Sequence, residues 1–143
     1  MKDDLKSRFL FIAYGIANLG LMLYGLLALF QPGILLEPFS LYVYDFPNEA
    51  SEAVLYLAAL FRLLGAFNLF LGCLGLALLW QYRLSQQKWI LLTIMASSLL
   101  SYIAPIVFDN TVGHIGFFEI LEHILFVAMV AAGIIMLRGG NDL

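Results

Sequence analysis

Glu119, Glu122 and His123 stand at i, i+3 and i+4 in the run Phe117-Phe118-Glu119-Ile120-Leu121-Glu122-His123. On a helix that spacing puts all three on one face. Two carboxylates beside an imidazole form one polar patch, with Glu122 and His123 able to act as a general acid–base pair near neutral pH. The second chemically notable residue is Arg62, inside the apolar run Leu60-Phe61-Arg62-Leu63-Leu64. A charge in hydrocarbon costs several kcal/mol, so such a residue is expected to face inward and find a partner. Glu119 and Glu122, at a similar depth, are the expected partners. Asn18 and Asn68 fall near the middle of their segments and are expected to hydrogen-bond to each other. Tyr102 closes a polar stripe begun by Ser97, Ser98 and Ser101. These serines are expected to bond their own helix backbone, which leaves Tyr102 as the member that can join a site.

Three readings of the patch stay open at this level. It is a buried ion-pair lock between two helices, a pocket for a ligand or substrate, or a contact with another membrane subunit. Metal binding is not expected. Di-iron helix bundles pair Glu with His at i, i+3 and repeat the motif on a second helix, and this sequence holds no such repeat. The single cysteine, Cys73, allows neither an internal disulfide nor a CxxC redox pair.

The elements that must position these residues are four apolar segments, at about 9–30, 54–80, 89–108 and 115–137. Each reaches the roughly 20 residues that a helix needs to cross the hydrocarbon core. Of the 143 residues, 63% are hydrophobic and 12% charged. Soluble domains average about 45–50% and about 25%, so the composition excludes an ordinary water-soluble domain. A net charge of −3 leaves no basic footprint for nucleic acid. The expected fold is all-α: a polytopic membrane protein, one domain over residues 1–143, built as a four-transmembrane-helix up-down bundle. Gly15, Gly20 and Gly25 in the first segment, with Gly65, Gly72 and Gly75 in the second, are expected to let helices approach closely.

Charge placement sets the expected orientation. Lys2, Lys6 and Arg8 precede the first segment, Arg83 and Lys88 lie between the second and third, and Arg138 follows the fourth. The other two connections carry Glu37, Asp45, Glu49, Glu52 and Asp109 without Lys or Arg. By the positive-inside rule, both termini are cytoplasmic and the protein is multi-pass in the plasma (inner) membrane. The basic start resembles a signal peptide, but the apolar core behind it is too long and no small-residue cleavage site follows, so a retained helix is expected. The outer connection, about 31–53, holds Pro32, Pro38 and Pro47 with Phe39, Tyr42, Tyr44 and Phe46. It is expected to lie at the interface over the outer mouth of the bundle. Trp80, Tyr82 and Trp89 mark the opposite boundary. His114 is expected at the outer mouth, solvated.

The phosphate-binding GxxxxGK[ST], the nucleophile elbow GxSxG and the zinc helix HExxH are all missing from the sequence. Two runs carry a family resemblance. One is Leu27-Ala28-Leu29-Phe30-Gln31-Pro32-Gly33-Ile34-Leu35-Leu36. The other is Phe61-Arg62-Leu63-Leu64-Gly65-Ala66-Phe67-Asn68-Leu69-Phe70-Leu71-Gly72, and a short basic turn then leads into the third segment. Together they resemble the DoxX-like small four-helix bacterial membrane proteins, including domain-of-unknown-function groups with Arg-x-x-Gly in helix 2. That motif falls here on Arg62 and Gly65. Some of these proteins are linked to quinone-dependent oxidoreduction, so the resemblance implies a quinone as one ligand class. The Glu119, Glu122 and His123 cluster lies outside the family pattern.

The expected function is therefore an integral membrane module. It binds a lipid- or quinone-like hydrophobic molecule through Arg62, Glu119, Glu122, His123, Asn68 and Tyr102, or serves as an accessory subunit of a larger membrane complex or homo-oligomer. The alternative is a small membrane enzyme acting on an apolar substrate, with Glu122 and His123 as general acid–base. The topology is open to a direct test in a Cys73→Ser background. Ser85→Cys is expected to react only with reagents on the cytoplasmic side and Asn48→Cys only from outside. The reverse pattern contradicts the orientation.

Overall fold

The computed structural model describes residues 2–36, 50–112 and 117–139. The described elements are α1 (Lys2–Phe30), α2 (Pro32–Leu36), α3 (Ala50–Ser85), α4 (Lys88–Val112) and α5 (Phe117–Gly139). Among the described residues there is no strand. Four stretches are long and apolar enough to cross a membrane, Leu5–Phe30, Val54–Ser85, Lys88–Val107 and Glu119–Arg138. The protein is thus all-α with four membrane-spanning helices, as its apolar segments indicated. At 36 residues, α3 is roughly 54 Å long, well beyond a hydrocarbon core of about 30 Å. Of the expected interfacial connection, the start forms α2, with Pro32 at the first helical position, where its missing N–H costs nothing. Pro38, Phe39, Tyr42, Tyr44, Phe46, Pro47 and His114 lie outside the described residues.

The chain groups into two compact units, Met1–Gly20 with Leu71–Leu143, and Leu21–Phe70. In the first, four helices pack with alternating direction. Against α3, residues of α1 advance as their partners recede. The Phe11 ring stacks on Tyr82 at 6.3 Å between centroids, Gly15 lies opposite Leu79, and Asn18 lies opposite Gly75. Gln86 and Gln87 alone separate α3 from α4, which forces the two antiparallel. Gln86 takes a left-handed φ of 53°, and its N–H donates to the Tyr82 carbonyl at 2.8 Å, closing α3 with an αL cap. Ser98 of α4 meets Asn18, and Tyr102 one turn on lies beside Gly20, so α4 runs parallel to α1. Tyr14 donates to the Met129 carbonyl of α5 at 3.0 Å, and Gly133 of α5 packs beside Tyr14 and Met95.

This unit is held by a core of Leu10, Leu79, Ile90, Ile94 and Met129 together with small side chains and polar clamps between its helices. Along the whole of α1 the buried positions include Leu10, Ala13, Tyr14, Ala17, Leu21 and Ala28. The exposed ones are Leu5, Phe9, Ile12, Ile16, Leu19, Leu23, Leu26 and Phe30, a stripe at three- and four-residue steps. In lipid no hydrophobic force draws such residues inward, and packing favours small ones at the helix contact. Asn18 is 1% exposed; its amide donates to the Tyr14 carbonyl at 2.7 Å and to Ser98 Oγ at 3.3 Å. A Cβ at Gly75 would occupy the space of that amide. The sequence paired Asn18 with Asn68, but both amide hydrogens go to Tyr14 and Ser98, and Asn68 belongs to the other unit. Depth alone could not say which neighbouring helix faced Asn18. Ser97 and Ser101 bond backbone carbonyls one turn back, as expected.

The second unit turns on one close crossing. A Cβ on Gly25 would sit 2.6 Å from the Leu69 nitrogen and 2.7 Å from the Gly65 carbonyl oxygen. A Cβ on Gly65 would sit 2.7 Å from the Gly25 oxygen and 2.8 Å from the Leu29 nitrogen. Backbone meets backbone here, and no rotamer change can make room. Gly25→Ala or Gly65→Ala is expected to cost about 1–3 kcal/mol through forced separation of α1 and α3. Gly33→Ala, which meets nothing within 4 Å, should stay within about 0.5 kcal/mol of wild type. Reversible unfolding in detergent measures all three, and equal stabilities would contradict the crossing.

Candidate functional site

The first unit brings Glu119, Glu122, His123 and Tyr102 together along the seam of α4 and α5. Glu119 falls in the first turn of α5, where the exposed amides and the helix dipole favour a carboxylate. One turn on, His123 Nδ1 lies 2.6 Å from the Glu119 carbonyl oxygen, while Asn110 Nδ2, from the end of α4, lies 3.2 Å from His123 Nε2. Donor accounting fixes the proton positions. A carbonyl only accepts, so Nδ1 carries the hydrogen and donates to Glu119. The Asn110 amide also donates to the Ile106 carbonyl at 2.7 Å, so its nitrogen is assigned correctly and its second hydrogen points at Nε2. His123 is then the neutral Nδ1–H tautomer, with its Nε2 lone pair accepting from Asn110. Asn110 is exposed and His123 half-buried, so this hydrogen-bonded pair opens to the surroundings.

Tyr102 lies roughly 12 Å deeper along α4. It is 3% exposed, and its hydroxyl donates to the Ala17 carbonyl at 2.8 Å. Gly20 makes the space for that hydroxyl, since a Cβ there would come within 3.3 Å of it. The Glu122 carboxylate is near enough to act on Tyr102 electrostatically, and its Oε2 atom is enclosed by protein. The seam therefore grades from an open hydrogen-bonding pair at its end to an enclosed carboxylate beside a clamped tyrosine.

Arg62 and Asn68 belong to the second unit, with Asn68 half-buried and Arg62 exposed. The cost of a charge in hydrocarbon fixes that the residue must be accommodated, but a long side chain can do so by reaching for water, lipid phosphate or another chain.

Asn110 is the residue that sequence reasoning missed. It follows Tyr102 and Ile106 at successive i+4 steps, the spacing of one helix face, and that alignment was the available signal. Among the described residues, no three of His, Cys, Asp and Glu are placed to hold a metal ion. The seam offers chemically a donor at Asn110, an acceptor at His123 and two carboxylates, in contact with apolar helix surface. Comparison with known proteins gives no match: no family model fits the sequence, and neither a curated protein nor a solved structure resembles the chain.

Proposed function

We propose that the protein is an integral membrane module that binds a lipid- or quinone-like hydrophobic molecule at the α4–α5 seam. The observation that carries this reading is the Asn110–His123 pair at the open end of that seam. An amide N–H beside an imidazole lone pair complements a carbonyl or hydroxyl oxygen at the polar end of an apolar molecule. A ligand carbonyl accepts from Asn110, and a ligand hydroxyl donates to His123 Nε2. Glu119 and Glu122 supply further acceptors, and the apolar faces of α4 and α5 take the tail. The resemblance to DoxX-like proteins supports the same ligand class.

The orientation we propose puts both termini and the link between α3 and α4 on the cytoplasmic side of the plasma membrane. It is supported by the gathering of Lys6, Arg8, Arg83, Lys88 and Arg138 at one end of the first unit, where α1 and α4 begin and α3 and α5 end. A second reading, an accessory subunit of a membrane complex, is favoured by the exposure of Arg62 on a spanning helix, where a carboxylate or carbonyl of another chain would satisfy it.

Native mass spectrometry of protein purified from its membrane tests the main reading. Wild type is expected to retain a hydrophobic molecule, and Asn110→Leu with His123→Phe to reduce that retention about tenfold, the effect of one to two lost hydrogen bonds. The thermal unfolding midpoint should stay near wild type, because the pair lies at the open end of the seam. Wild type that carries no such molecule, or a double variant that keeps it fully, contradicts the proposal. Arg62→Leu should leave ligand retention unchanged under both readings, and should release a co-purifying subunit only under the second.

A further inference from the structure

At the opposite end of the first unit from the Asn110–His123 pair, α1 and the end of α3 enclose an open groove of about 490 Å³, lined by Ser7, Arg8, Phe11, Ile12, Arg83 and Gln86. Its composition is divided. Arg8, Arg83, Ser7 and Gln86 supply cationic and hydrogen-bonding groups, Phe11 and Ile12 supply an apolar wall, and none of the six is acidic. Its level in the membrane is also marked. Trp80 and Trp89 are each 61% exposed beside it, and indole rings settle at the boundary between hydrocarbon and head groups. The Arg83 guanidinium lies 5.9 Å from the Trp80 ring centroid, a cation–π contact that keeps the charge at that level. Phe11 of the groove also stacks on Tyr82, joining the two helices there.

We propose that this groove binds the phosphate-bearing head group of an anionic membrane lipid. The Arg83 guanidinium faces the phosphate and is able to form paired N–H···O bonds to its oxygens, and Arg8 adds positive charge to the same groove. Ser7 and Gln86 donate to the remaining head-group oxygens, and the first carbons of an acyl chain run along Phe11 and Ile12. A soluble phosphate ester shares the phosphate chemistry but has no use for the apolar wall, and this difference favours the lipid. Basic pockets at the ends of spanning helices suit such head groups on general electrostatic grounds. The site is independent of the α4–α5 seam, so either can fail without the other.

The test uses the full chain in detergent, with lipid retention read by native mass spectrometry at matched phosphatidylglycerol and phosphatidylcholine. Wild type is expected to retain phosphatidylglycerol about tenfold better, as two cationic contacts near a membrane surface allow. Millimolar inorganic phosphate should not displace it. Arg8→Gln with Arg83→Gln should bring the two lipids to parity, while Arg138→Gln, at another exposed basic position, should keep the preference. Should the double variant not fold, Gln86→Glu sets a carboxylate into the groove at an exposed position and is expected to produce the same loss. Equal retention of both lipids by wild type would overturn the proposal. So would a preference that survives Gln86→Glu or the double change, and displacement by inorganic phosphate would assign the groove to a soluble anion instead.

Discussion

Asn18 sits where α1, α3 and α4 meet, and the packing of the first unit depends on its accommodation. A buried amide without partners is costly in any apolar interior, and more so where no water can reach it. Here Tyr14 and Ser98 accept its two hydrogens, and the absent side chain of Gly75 leaves room for the group itself. That one arrangement sets the register of three helices. The Tyr102 and Tyr14 hydroxyls then clamp α4 and α5 to the same α1 segment. The clamps are polar because lipid is as apolar as leucine, so burying leucine between helices gains little over leaving it in the bilayer.

The same constraint explains which features were legible in the sequence. Spans read clearly because length and uninterrupted apolarity are one-dimensional signals, and the four segments reappear within about ten residues at every boundary. Grouping on one helix was also legible: Glu119 and His123 are indeed bonded through the α5 backbone. Azimuth was not. In a soluble helix an apolar stripe marks the inward face, but Leu, Ile and Phe surround these helices: on α1, Leu10 and Leu21 are buried while Leu5, Ile12, Ile16, Leu19 and Leu23 are exposed. Asn18 was matched with Asn68 by depth, whereas its amide donates to Ser98. A better inward signal was present in the small residues. Ala13, Ala17, Gly25 and Ala28 on α1 trace the buried face, which Leu10, Tyr14 and Leu21 share.

Polar groups in the first unit divide by task. Asn18, Ser98, Tyr14 and Tyr102 are enclosed and hydrogen-bonded within the unit, which suits structural cohesion. Asn110 and His123 are bonded to each other yet open, an arrangement that a ligand with complementary donors and acceptors can replace with little loss of packing. The basic end follows a third logic. Lys6 and Arg8 stand at the start of α1, where the helix dipole disfavours cations.

The central claim is that the Asn110–His123 pair is a ligand seat and not a structural latch. The most direct measurement is an experimental density map of the protein extracted with its native lipids, at a resolution that shows bound molecules along the α4–α5 seam. The account predicts elongated non-protein density on the seam, with a polar end about 3 Å from Asn110 Nδ2 or His123 Nε2. A seam that is closed by protein alone, with the Asn110–His123 hydrogen bond intact and no density beside it, would contradict the account.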